Sequence, residues 1–151
     1  MIIRKATLRD ATQIKKLIDY YAKRDILLPR SIGDIYEKIR EFTVYVDKNK
    51  ILGCCSLQIT WNDLAEIKSL AVDIKHTRKG IGSSLAKACI EEAKNMKIKR
   101  VFTLTTAPKF FKKLGFKSIK KEKLPMKIWG ECVYCNRYQN CNESALVYEV
   151  K

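Results

Sequence analysis

Gly80 and Gly82, in the run His76-Thr77-Arg78-Lys79-Gly80-Ile81-Gly82-Ser83-Ser84-Leu85, are the residues whose spacing most directly implies chemistry. Neither carries a Cβ, so the backbone can take positive φ and approach a ligand closely. From Ser83 to Lys94 the apolar residues recur at helical spacing, which sets unpaired N–H groups and a positive dipole end just after the glycines. Upstream, the apolar run Ile67 to Val72 reads as a buried strand. Strand, glycine loop and helix together make an anion cradle, and Arg78 and Lys79 at its rim favour a polyphosphate such as pyrophosphate over a single carboxylate. The same residues also suit an ordinary tight strand-to-helix turn. Arg30 is the second candidate. It stands between Pro29, which breaks a helix, and Ser31, which can cap the next one, so its guanidinium is held at a helix entry where it could fork a carboxylate; the plainer alternative is a surface arginine. The third candidate is Cys132-Val133-Tyr134-Cys135 with Cys141. Its spacing suits thiolate coordination of a zinc ion, but a fourth ligand is not evident: His76 lies in the glycine loop and Cys54-Cys55 in a strand. Reduced thiols, or one disulfide tying down a loop, account for these three cysteines equally well.

These groups need elements to hold them. Ile2 to Lys5 reads as a first strand, and Asp10 with Gln13 as a capping box opening a helix whose Ile14, Leu17, Ile18 and Tyr21 share a face. Ser31 caps a second helix carrying Ile35 and Ile39. Phe42 to Val46 alternates with a β period, residues 47–50 turn, and Ile51 to Ile59 pairs back as a hairpin. After a turn at 61–63, Ala65 to Val72 runs as a central strand, with Glu66 and Lys68 on one face and Ile67 and Ser69 interleaved. Beyond the helix ending near Met96 come a strand at Arg100 to Thr105, a helix opened by Pro108 and ended by Gly115, and a strand from Phe116 to Ile119. Periodicity lapses from Lys120 to Asn142 and returns at Ala145 to Val150 as a last strand.

The chain has 151 residues, 46% of them hydrophobic, which suits one globular α/β domain with one core. No run of 18 apolar residues occurs and the N-terminus is not a signal peptide, so a cytoplasmic protein without a membrane span is expected, its six cysteines reduced. The net charge of +15 predicts attraction to polyanions: a phosphate-rich cofactor, an acidic substrate or nucleic acid. The lysines are scattered along every segment, which fits a solvated basic surface better than a nucleic-acid groove.

Two ordered matches point to a family. Thr77-Arg78-Lys79-Gly80-Ile81-Gly82 resembles the acetyl-CoA-binding motif of GNAT-type N-acetyltransferases, Gln/Arg-x-x-Gly-x-Gly/Ala, with Thr77 at the position usually held by a longer polar side chain. About thirty residues later, Phe110-Phe111-Lys112-Lys113-Leu114-Gly115-Phe116 resembles the family's Phe-Tyr-x-x-x-Gly-Phe helix and turn. The resemblance covers essentially the whole chain and implies an α/β (α+β) GNAT fold, with a mixed central sheet of about six to seven strands and flanking helices. It implies a single N-acetyltransferase domain over 1–151, with a Cys-containing segment, 123–143, before the last strand. Acetyl-CoA is then the co-substrate. Its holders would be Arg78, Lys79, Gly80, Ile81, Gly82 and Ser83 at the phosphates, Leu70, Ala71 and Val72 along the pantetheine arm, and Phe111 packed against it. Glu66 lies where several relatives carry the base that receives the amine's proton, and the N–H of Leu70 or Ala71 would polarise the acyl carbonyl. The usual general acid is a tyrosine where this chain has Phe111, so none is assigned.

Within the family, the segments Leu27 to Ser31, Gly53 to Leu57, Ala65 to Val72, Val101 to Thr105, Phe110-Phe111 and Leu124 to Trp129 are similar to the short amino-acid N-acetyltransferases that make N-acetylglutamate for arginine biosynthesis. That group commonly has Phe-Phe at this helix. The resemblance implies L-glutamate as the acceptor, with Arg30, Lys68 and Lys127 holding its carboxylates. The implied partners are acetyl-CoA and an amino acid, with a homodimer admissible and no membrane. A GNAT enzyme for another amine, such as a protein N-terminus, lysine or a small molecule, remains open, as does a metal- or nucleic-acid-binding module built on the cysteine segment.

Overall fold

The computed structural model describes residues 1–124 and 143–151. Seven strands form one mixed sheet: β1 (Ile2–Lys5), β2 (Phe42–Asp47), β3 (Lys50–Trp61), β4 (Leu64–Val72), β5 (Arg100–Thr105), β6 (Lys117–Ser118) and β7 (Ser144–Glu149), in the order β1-β2-β3-β4-β5-β7-β6. Helices α1 (Ala11–Ala22), α2 (Ile32–Glu37), α3 (Ile81–Asn95) and α4 (Pro108–Lys113) flank it. This is the expected α/β architecture, with strand and helix in the expected order. No described helix is long and apolar enough to cross a membrane.

Two apolar clusters sandwich the sheet. Ala11, Ile14 and Ile18 of α1 and Ile35 of α2 pack on Phe42, Val44, Ile51, Cys54 and Ala71. On the opposite side Leu85, Ala86, Cys89 and Ala93 of α3, with Phe111 and Phe116, pack on Cys55, Leu57, Ala65 and Ile67. Cys54, Cys55 and Cys89 are buried free thiols, and burial pushes the Cys54 thiol up to about 12, so it is inert at neutral pH.

Two local expectations are corrected. The capping box before α1 is built by Thr7 and Asp10: the Thr7 N–H donates to Asp10 Oδ2 at 2.7 Å, while Arg4 donates to both Asp10 oxygens. Gln13 accepts instead from the Ile51 N–H at 2.9 Å and ties α1 to β3. The strand expected over 116–119 is reduced to Lys117–Ser118, because β7 offers it only two partners, Val147 and Leu146.

The sheet's irregularities are what make room for a site. β4 pairs in parallel with β5 only at Leu64, Ala65 and Glu66; from residue 67 onward it pairs with β3 alone among the described residues. The strands splay there, and Thr103 Oγ1 on β5 donates to Ile67 O at 3.1 Å across the root of the opening. Opposite β3 positions 54 and 56 lie Ala71 and Lys68, so β4 carries one extra residue: a bulge, with Ser69 at φ 54°.

Candidate active site

The phosphate-side candidates form a continuous ledge at the C-terminal end of β4. Asp73 opens the loop by accepting from the Lys75 N–H at 3.0 Å, and that bond, with the Lys50 and His76 charges adding to it, holds its carboxyl below the usual range. Gly80, at φ 81° and ψ 7°, is the left-handed residue from which α3 starts. A Cβ there would meet nothing within 4 Å, so the space in front of the helix is open. The first intrahelical bond runs from the Ser84 N–H to Gly80 O at 3.0 Å, which leaves the amides of Ile81, Gly82 and Ser83 without a helical acceptor. Arg78 and Lys79 are exposed at the rim, Arg78 also at positive φ. Ile81's side chain is buried in the α3 cluster, so its N–H is what it can offer a ligand. A Cβ on Gly82 would lie 3.4 Å from Phe110 Cζ. This loop and α4 are therefore in contact.

The two phenylalanines divide their tasks. Phe111 is 4% exposed and stacks edge-on against Phe110 and Phe116, at 5.0 and 5.2 Å between centroids, so the ring expected against the cofactor is committed to the core. Phe110 is the half-buried ring beside Gly82. Helical geometry turns consecutive residues about 100° apart, and the pair Phe-Phe contains no signal of which one faces inward.

Along β4 the bulge sorts the side chains. Leu70 and Val72 pack towards the α3 cluster and Ala71 towards the α1 cluster. The Val72 carbonyl accepts from the Tyr21 hydroxyl, a bond that pins the end of β4 to α1 and that the apolar reading of Tyr21 missed. Burial raises the Tyr21 hydroxyl's pKa, so it stays a donor.

On the α1 and α2 side of the splay, Glu66 and Lys68 share a face of β4, opposite Gln58 and Ser56 of β3; Glu66 is buried at 7% exposure, in the last pair before β4 leaves β5. Ser69, expected on the other face with Ile67, is turned by the bulge so that its hydroxyl meets Arg30. Arg30's side chain is 9% exposed and locked: Nε donates to Asp34 Oδ2 at 2.7 Å, Nη1 donates to Ser69 Oγ at 3.2 Å, and the guanidinium lies 4.9 Å from the Phe42 ring centre. Burial raises the Asp34 carboxyl, but the bonds from Arg30 and Lys38 outweigh it and leave its pKa below the usual value. The bulge is held from beneath by the Cys54 thiol, which donates to Ser69 O at 3.4 Å. The result is a buried, oriented guanidinium with Lys68 on one side of the splay and, at its end, a ledge of first-turn N–H groups rimmed by Arg78 and Lys79. That geometry suits a phosphate-bearing molecule lying along the β4 edge and an anionic molecule meeting it from the α2 side.

Lys127 and the candidate zinc ligands Cys132, Cys135 and Cys141 lie outside the described residues. Among the described residues, no group of three His, Cys, Asp or Glu is placed to hold a metal ion.

Residues 9–116 match the acetyltransferase (GNAT) family. An uncharacterized N-acetyltransferase of Chlorobaculum tepidum is 39% identical over 145 residues, 96% of this chain and 94% of its own length. An amino-acid acetyltransferase of Mycobacterium tuberculosis is 34% identical over 140 residues, 91% of this chain and 79% of its own. Among solved structures, a Mycobacterium tuberculosis protein in complex with CoA superposes with a TM-score of 0.86 at 28% identity over 100% of both chains. N-acetylglutamate synthase from Neisseria gonorrhoeae, complexed with coenzyme A and N-acetyl-glutamate, superposes with a TM-score of 0.91 at 28% identity, over 99% of this chain and 35% of the synthase.

Proposed function

We propose that this chain, which belongs to the acetyltransferase (GNAT) family and uses acetyl-CoA to acetylate an amine, acts on the α-amino group of L-glutamate, with residues 1–151 working as one catalytic unit. The observation that carries the acceptor assignment is Arg30: a guanidinium almost removed from water, oriented by Asp34, Ser69 and Phe42, beside Lys68 on the acceptor side of the splayed strand. Asp34 already balances and aims this buried guanidinium, and a fork held so rigidly is set to recognise a further carboxylate, which an acidic amino acid supplies. Relatives named amino-acid acetyltransferase and a synthase neighbour holding N-acetyl-glutamate support the same reading.

The residues fit acetyl-CoA. The first-turn amides of α3, with Arg78 and Lys79, would take the phosphates; the edge of β4 from Leu70 to Val72, which no strand covers among the described residues, would take the pantetheine arm. Bound there, acetyl-CoA supplies an activated acetyl thioester at the splay. Glu66 would receive the proton of the acceptor's ammonium, directly or through a water, so that the nitrogen lone pair is free to attack. As the C–N bond forms and the C–S bond breaks, charge on the acyl oxygen would be met by the N–H of Leu70 or Ala71. The departing thiolate, with a free pKa of about 8.5, needs little acid help, which accommodates phenylalanine at 111.

An acceptor screen tests this. Release of CoA thiol with each of the twenty amino acids should favour L-glutamate, and acceptors without the side-chain carboxylate should lose roughly 10–100-fold or more. Equal rates with glutamate, glutamine and leucine would refute the assignment. In that event the pocket serves another amine on the same scaffold.

A further inference from the structure

Among the described residues, two buried oxygens near the Arg30 guanidinium have no hydrogen-bond partner. Glu41, in the 3-10 turn that leads into β2, has its Oε1 shut off from solvent without a hydrogen bond, and so does Ser56 Oγ on β3. Both adjoin the site. Phe42, next to Glu41, pairs with Ser56, and Ser56 pairs with Lys68, so the three lie in one row across β2, β3 and β4 on the face that Arg30 covers. The charged groups around the Glu41 carboxyl are Arg30, Asp34 and Lys38 from the α2 segment and Lys68 from β4. Arg30 and Lys38 are engaged by Asp34, at 2.7 and 3.3 Å. A buried carboxylate oxygen left without a donor beside three cations is an arrangement that ordinary folding does not leave standing.

We propose that Glu41 is a specificity-determining residue of the acceptor pocket: its protonated carboxyl donates a hydrogen bond to one carboxylate of a dicarboxylic acceptor, alongside Arg30 and Lys68. This rests on the acceptor reading above. A hydrogen bond between two carboxyl groups needs one shared proton, so the dicarboxylate enters together with a proton taken from solvent, and Arg30, Lys38 and Lys68 offset the charge that remains. Atoms and charge balance: one proton binds at Glu41, and no bond to carbon changes. Burial raises the Glu41 carboxyl above its ordinary value, against the pull of Arg30, Lys38 and Lys68, which is the direction a shared proton requires. Ser56, in the same row, carries a second buried hydroxyl without a partner among the described residues. A neutral donor at Glu41 also explains selectivity: a cation-only pocket takes any anion, whereas a carboxyl that must pair with another carboxyl favours one geometry.

The sign of the linkage is fixed. Binding requires the protonated form, so affinity for the dicarboxylate falls as pH rises through the pKa of Glu41 in the free protein. N-acetyl-L-glutamate is the probe, because its blocked nitrogen does not titrate. Calorimetric titration of the full chain with this compound, in the presence of CoA and in buffers of different ionisation enthalpy, should show net proton uptake and an affinity that weakens about tenfold per pH unit above that pKa. Glu41→Gln keeps a neutral donor; it should bind the probe with no proton uptake and a flat pH profile, while Glu41→Leu should weaken the probe at least tenfold. Unchanged CoA binding establishes that both variants are folded, and a variant that fails this is replaced by Glu41→Asn. Binding to the wild type without proton uptake, or uptake retained in Glu41→Gln, overturns the role of Glu41 and leaves the glutamate assignment standing. No binding to the wild type overturns both.

Discussion

Gly80 allows the anion ledge to be tested with a pair of substitutions that differ only in charge. Its φ of 81° penalises most side chains, but asparagine and aspartate tolerate the left-handed region, and space is open where the Cβ would go. Gly80→Asn and Gly80→Asp should therefore cost the fold similar amounts, about 1 kcal/mol or less, and both can cap the first-turn amides. Only the aspartate adds a negative charge at the mouth of α3. Against a phosphate charge about 6 Å away, at an effective dielectric of about 20, the repulsion is about 3 kcal/mol before screening. Salt near 0.15 M reduces it to about 1–2 kcal/mol, a loss of about 5–30-fold in affinity. The two variants should melt within a few degrees of each other, yet calorimetric titration with CoA should find Gly80→Asn clearly tighter, with the gap narrowing as salt is raised. Equal affinities for the two variants, both folded, would refute placement of the cofactor's phosphates on this ledge.

Gly82→Trp should both abolish CoA binding and lower the melting temperature, because its Cβ starts 3.4 Å from Phe110 and the indole must displace that ring; loss of binding without a thermal shift would contradict the packing. Arg30→Lys replaces a two-point fork by one flexible charge, and kcat/KM for glutamate should fall about 10–100-fold while KM for acetyl-CoA stays put; a uniform fall for every acceptor would remove Arg30 from the pocket. Thr103→Val keeps the shape of a buried side chain but leaves Ile67 O without its donor, which should cost about 1–3 kcal/mol in chemical denaturation; no change would mean the bridge across the splay is idle. The Asp10 carboxyl lies below its ordinary pKa, chiefly through the hydrogen bonds from Arg4, so its contribution is present above about pH 4 and is lost as pH falls through the folded value. Asp10→Asn should accordingly melt lower than wild type at pH 7 and converge with it at acid pH, once the folded-state carboxyl is protonated.

Much of the scaffold is written locally. β1 and β5 have the bounds read for them from the sequence, the apolar stripe of α1 faces the core, and Ser31 caps α2, because each depends on residues within one turn or one strand. The glycine loop is local too, since its conformation and the exposed amides of α3 follow from a few consecutive residues. The acceptor pocket is not. Arg30 reaches Ser69 only because the bulge turns that serine to the Arg30 side, and the bulge is held by a thiol from a neighbouring strand. Gln13 bonds across 38 residues to Ile51 in place of its own helix start, and the cap passes to Thr7 and Asp10. Which of Phe110 and Phe111 faces the loop, how Thr103 ties β5 to Ile67, and how Glu41 comes to lie beside Lys68 all depend on strands meeting in one register. A side chain's period along its own element is set by backbone geometry, whereas the partner it meets across the sheet is set by where the whole chain closes, and only the folded structure decides that.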